Sequence, residues 1–442
     1  MSGSSGLAAP PRPPAPAQRV PSPYALPLYT LRLLARCGVA LVAWFAAGQV
    51  VRFALLYLGT EISHGDYRQA RLVATMLVFT LVVAANLVVT TGMLYSIRGA
   101  LAEMRARRAE NEGDERFLVA LDRVAPAFAV IYLTWGLHVQ DARDFVALDQ
   151  LHNIDAAVTY AFDGIEYDIG RGLSDLNFTI SLIIMFVAWV VRIIFERRYE
   201  SGNGRFSGAF AAFAELSFAF FGLTATFELI EERSDWLGHR SVVAASGEMM
   251  TQAEEKIPGW SAFWGGLGEI RPYVIDALAL PLMWLAVAIL VYGADVNDTR
   301  AAIRGMRLDR AEARYDQAHS LTRTAVARLT MSVQERWIPI LHALRLTVRG
   351  GAPLFGMFCL SYAGIQIGMA YADRALRHLI GSDRPYIWLV FDHPVSLAIQ
   401  LVSTLLTMCL LGATFDIAAT RARLLNPPAP NEGTEDRPAV SA

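Results

Sequence analysis

The sequence predicts an all-α fold: a polytopic membrane helix bundle of about eight transmembrane helices, with both termini in the cytoplasm. Three observations carry that expectation. Apolar residues make up 54% of the 442 and charged residues only 18%, which sets the chain apart from soluble and from disordered proteins. The stretch Leu72–Ile97 contains no charge, and as a helix it is about 39 Å long, enough to cross a bilayer core of about 30 Å. Hydrocarbon supplies no water to the backbone, so such a segment must satisfy its own N–H and C=O groups, as a helix does. Finally, most of the 39 basic residues fall on alternate connecting segments, and basic flanks are retained on the cytoplasmic side.

The same composition excludes other classes. A net charge of −2 gives no general affinity for nucleic acid. Cys37, Cys359 and Cys409 all lie in apolar surroundings, where a thiol behaves as a small hydrophobe, so no disulfide framework is expected. There is no phosphate-cradling glycine loop, no C-x-x-C pair, no H-E-x-x-H spacing and no nucleophile elbow. No cofactor and no enzyme class follows from the motifs, although an intramembrane enzyme assembled from separate helices would show none of them.

Residues 1–31 read as a Pro-rich, disordered N-terminal tail without the basic start and cleavage site of a signal peptide. Residues 32–293 hold helices 1–6 and the acidic outer loops. Helix 1 is expected over Gly38–Leu58 and carries Arg52; helix 2 is the charge-free stretch. Helix 3 spans Phe117–Val139, with Asp122 near its start. Helix 4 occupies Leu176–Phe195, helix 5 Phe206–Ile230 and helix 6 Tyr273–Gly293. An Arg-rich helical insertion over residues 294–350 separates these from helices 7 (Ala352–Tyr371) and 8 (His393–Phe415) in residues 351–420. Residues 421–442 read as a second disordered tail.

The charged residues inside these spans are the candidates for function. Glu215 stands nine residues into helix 5, near the bilayer centre, where a carboxylate must be protonated, paired or facing water. It marks either an ion pathway or an interhelical pair that only holds the bundle together, and Arg52 is one partner within reach of two long side chains. Asp276 precedes the Pro281 of helix 6, and proline there frees a carbonyl that can line a cavity or bind a cation. Asn86, Gln366 and Gln400 are expected to act as interhelical glue, and Gly364 and Gly368 form a G-x-x-x-G packing face.

The outer loop from Asp141 to Asp175 holds eight carboxylates against Arg143 and Arg171 and should attract cations. Within it Asp149, His152 and Asp155 are spaced by three. On a helix they share a face, which is either a weak divalent-metal site or a solvated surface. Asp392 and His393 open helix 8 on the same side, to complete such a site or to cap the helix. The other outer loop ends in the Trp260–Gly268 run, an interfacial or re-entrant segment.

Function is read in two ways. A transporter or channel for cations or another small solute follows from Glu215, Arg52, Asp276, Asp122 and the acidic exterior. A non-catalytic membrane scaffold or regulatory subunit would instead hold a cytosolic protein at Arg300–Gln334. A lipid-processing enzyme using Asp163, Glu166 or Asp168 is a third class. The lipid bilayer is the implied environment, and a homo-oligomer is compatible with all three.

Overall fold

The computed structural model describes residues 21–64, 67–109, 116–134, 137–162, 178–200, 210–211, 213–222, 225, 280–292, 351–381 and 385–425. Among them there is helix and no strand. In chain order they form α1 (Leu26–Ser63), α2 (Arg68–Ile97), α3 (Ala102–Ala109), α4 (Phe117–Thr134), α5 (Leu137–His152), α6 (Ile154–Phe162) and α7 (Phe178–Glu200). Then come α8 (Phe213–Gly222), α9 (Leu280–Val291), α10 (Ala352–Ile380) and α11 (Pro385–Leu425).

Four of these helices, α1, α2, α10 and α11, are long and apolar enough to cross a membrane, and α7, α8 and α9 contribute shorter apolar stretches. The described residues therefore contain four of the eight spans that the sequence predicts. Asp276, the Arg300–Gln334 insertion, the Trp260–Gly268 run, Asp163, Glu166, Asp168 and both tails beyond 21 and 425 lie outside the described residues. So does the side chain of Asp122, which stands on α4.

Several boundaries differ from expectation. The first helix starts at Leu26, inside the stretch assigned to the N-terminal tail, because Leu26, Thr30 and Leu33 are already buried against the bundle. Helix 3 is two elements, α4 and α5, so the start of the supposed outer loop is helical. Asp392 and His393 lie within α11 and not at its start.

Helices α1 and α2 pack antiparallel, because small residues let the backbones close up. A Cβ on Gly92 would fall 2.7 Å from the Trp44 indole, and one on Gly48 would fall 2.7 Å from Val89. Trp44 is held in place by its Nε1 donating to Ser96 Oγ at 3.0 Å. Helix α4 runs against α2, with Phe117 at Tyr95 and Tyr132 at Asn86. Helix α9 covers α4 through the Phe128–Trp284 pair, and α11 returns along α1 from Gln400 beside Gln49 to Asp416 beside Tyr29.

The main core, including Leu41, Leu87, Phe128, Val287 and Leu410, lies where α1, α2, α4, α9 and α11 meet. A second core of Leu56, Met76, Phe79, Phe145, Phe220 and Phe221 closes the bundle at the end that carries Ser63, below called the far end. The end that carries Leu26 is the near end.

Helix α10 is different. Leu360, Ile367 and Tyr371 are more than half exposed, and a Cβ on Gly364 or Gly368 would meet nothing within 4 Å. The G-x-x-x-G packing face expected there makes no contact with another described helix.

Candidate functional site: a polar cavity at the far end

Helix α5 decides the chemistry of the far end. Asp141, Phe145 and Asp149 recur at a spacing of four, so they share one helical face, and that face is laid on the C-terminal half of α1. Asp141 meets Arg52, Phe145 lies against Gly59, where a Cβ would come within 3.2 Å of the ring, and Asp149 meets His64. Asp141 and Asp149 are 4% and 1% exposed. The expected solvated acidic loop is thus, in this part, a helix that turns its carboxylates inward.

Arg52 is the centre of the arrangement. Its Nη2 lies 2.6 Å from Asp141 Oδ1 and 2.6 Å from Asp144 Oδ2, while Nε donates to Asp141 Oδ1 at 2.7 Å. A buried guanidinium is tolerable only with such partners. The second Asp141 oxygen accepts from the Tyr132 hydroxyl, which in turn accepts from Asn86 Nδ2 at 3.1 Å. Gln140 Nε2 donates to Asp144 Oδ1 at 3.0 Å. Burial pushes the Asp141 carboxyl, on a helix outside the four spans, above the ordinary carboxylate range, against the pull of Arg52.

These groups form part of the wall of an open-mouthed cavity of about 630 Å³ lined by α1, α2, α4, α5, α9 and α11. Its walls are of two kinds. Toward the far end they are polar: Gln49, Arg52, Asn86, Tyr132, Gln140, Asp141 and Asp144, with Asp392, His393, Ser396 and Gln400 from α11. Toward the middle of the bundle they are mainly apolar, with Phe45, Val89, Met93, Phe128, Trp284 and Met408 beside Thr90 and Thr404. A second guanidinium borders the rim. Arg377 of α10 reaches Asp373 at 2.8 Å, Asp392 at 2.5 Å and Ser396 Oγ at 3.2 Å, joining α10 to α11.

The near end is built otherwise. Asp416 is 3% exposed and accepts from the backbone N–H of Ala102 at 2.9 Å and of Glu103 at 2.7 Å, as well as from the Tyr29 hydroxyl. It therefore satisfies two of the orphan donors at the start of α3. Glu103 itself is buried and pairs with Arg107 at 3.3 Å and Arg423 at 3.6 Å.

The structure redistributes the residues singled out in the sequence. Arg52 is in the cavity, but its partners are Asp141 and Asp144. Glu215 instead lies 3.6 Å from Arg192 of α7, so the supposed Arg52–Glu215 pair is not made. Asp149, His152 and Asp155 do not converge. Asp149 takes His64 Nε2 at 2.7 Å, His152 lies 3.1 Å from Glu61, and α5 ends at His152, leaving Asp155 exposed on α6. No three His, Cys, Asp or Glu side chains are grouped for a metal among the described residues. Of the polar helix residues, Asn86 and Gln400 line the cavity, while Gln366 is exposed. Sequence reasoning missed Asp141, Asp144 and Asp416 as site or structural residues. The signal for the first was the fourfold spacing of Asp141, Phe145 and Asp149.

Comparison with known proteins adds nothing to this geometry: no family model matches the chain, and neither a curated protein nor a solved structure is significantly similar to it.

Proposed function

We propose that the chain is a transporter or channel of the cell membrane for cations or another small solute, and that the far-end cavity is where the solute binds. The observation that carries this reading is the cavity itself, a space with a polar and an apolar side among the helices, bordered by the Arg52–Asp141–Asp144 cluster in which Asp141 is buried and Asp144 part-exposed. Charged side chains inside a membrane bundle are costly and typically line the path of a solute, an ion or a proton. The full reading has eight spans and cytoplasmic termini, which places the cavity mouth outside. It moves the solute path away from Glu215, whose partner is Arg192.

The test is flux into liposomes holding the purified full-length protein under an imposed gradient. Asp144→Asn, which keeps the shape and removes a charge, is expected to lower flux about tenfold or more, while Glu215→Gln leaves it within about twofold. Equal flux in parent and Asp144→Asn would overturn the assignment of the cavity. Reporter fusions at the two termini, read for cytoplasmic location, test the orientation.

A further inference from the structure

The two kinds of wall narrow the solute. At the mouth each guanidinium serves two carboxylates: Arg52 lies between Asp141 and Asp144, and Arg377 between Asp373 and Asp392. With all four carboxylates ionised, one negative unit is left over in each cluster. Asp144 and Asp392 are its accessible carriers, with side chains 36% and 57% exposed. Apolar walls around such a cleft focus its field on whatever enters, so the mouth selects positive charge.

The floor then separates kinds of cation. A monatomic ion gives up its water only to a cage of several protein oxygens. Among the described residues no three His, Cys, Asp or Glu side chains form such a group, and the floor is mainly apolar, with Trp284 and Met408 standing beside the hydroxyls of Thr90 and Thr404. Aromatic faces do attract a cation that is weakly hydrated, and they take up apolar groups by excluding water. The cavity volume of about 630 Å³ also falls in the range of about 300–1,000 Å³ typical of sites that enclose organic ligands.

Resting on the transport reading, we infer that the solute is an organic cation with an apolar body, a substituted ammonium or amine. It binds with its charge toward Asp144 and Asp392 and its body against Trp284.

The probe is radiolabelled benzyltrimethylammonium, whose charge is fixed at every pH, bound to the purified full-length protein and compared with tetramethylammonium, which lacks the ring. Rubidium flux into proteoliposomes is measured alongside. The parent is expected to bind benzyltrimethylammonium saturably. Asp144→Asn and Asp392→Asn, isosteric changes at partly exposed side chains, weaken binding of both cations about tenfold. Trp284→Leu weakens benzyltrimethylammonium about tenfold and tetramethylammonium far less. Each variant is first shown to elute as a single species with the parent's melting temperature. Binding unchanged in all three folded variants overturns the inference. So does the absence of saturable binding where rubidium flux persists and falls in Asp144→Asn, a result that leaves transport standing with a monatomic solute. If neither cation binds and no flux occurs, the transport reading falls together with it.

Discussion

The two ends of the bundle hold their carboxylates in opposite ways. At the near end Asp416 is enclosed, and its oxygens are taken up by Tyr29 and by two backbone N–H groups of α3. At the far end Asp144 and Asp392 are held by guanidinium groups on one side and open to the cavity on the other. A carboxylate whose acceptors are filled by fixed donors fastens elements together, and one with oxygen left over can meet a ligand. Burial and partners together tell the two apart: Asp416 is 3% exposed under three donors, whereas the Asp144 and Asp392 side chains are 36% and 57% exposed.

The largest effect on stability is expected from breaking the near-end fastening. Asp416→Ala leaves the buried N–H of Glu103 and the part-buried N–H of Ala102 without acceptors, at about 1–3 kcal/mol for the first and less for the second, and should lower stability by about 2–4 kcal/mol in thermal unfolding of the detergent-solubilised protein. Asp416→Asn keeps an acceptor oxygen and should cost less than half of that.

Next comes Arg52→Gln, which strands Asp141 in a buried site and should cost about 2–4 kcal/mol at pH 8. The pH dependence has a definite sign. The Asp141 carboxyl is raised in the folded state, so above its unfolded value the folded protein still holds a proton that the unfolded chain has released. Stability therefore falls as pH rises through the folded value. Removing Arg52, the main influence lowering that value, extends the window upward, so the variant's deficit should be larger at pH 8 than at pH 5. An equal deficit at both would show that Asp141 does not titrate there.

Gly92→Ala should cost about 1–3 kcal/mol, because the new Cβ meets an indole fixed by Ser96. Gly364→Ala, with open space around it, should change the melting temperature by no more than the measurement error. The smallest effect on stability among the charge variants belongs to Asp144→Asn, under about 1 kcal/mol for a partly exposed ion pair, although its effect on flux is the largest predicted. That split between melting temperature and flux sharpens the contrast between a fastening carboxylate and a binding one.

Much of the fold was legible because hydrocarbon imposes long charge-free helices. Leu72–Ile97 is α2 almost as read, and α1, α10 and α11 contain the predicted spans. The site was less legible. Arg52 stood out as a charge in an apolar run, but Asp141 and Asp144 were hidden among many carboxylates in a polar stretch, where composition suggests solvent. The inward orientation of Asp141 follows from Phe145 one turn on, which must be buried and carries that face with it, while Asp144 beside the face stays part-exposed. Glu215 drew attention for its depth, yet depth does not reveal a partner such as Arg192 on the preceding helix. Asp416, a short way from the end of a long apolar helix, looked like an ordinary boundary charge until α3 was seen to start on it.

The length of α11 ties the two ends to one another. Its 41 residues make a rod of about 62 Å, and it carries Asp392 at the cavity mouth and Asp416 at the near-end fastening, about 36 Å apart along the axis. From Thr407 to Ala419 this rod is clamped on all sides by the core, whereas beyond Gln400 toward its start most positions are open and Pro394 interrupts the backbone ladder. Its start is tied to α10, through Arg377 to Asp392 and Ser396, while its other half is seated in the core. One helix therefore carries both the cavity rim and the near-end fastening, and Pro394 is where its backbone ladder is open between the rim and the seated half.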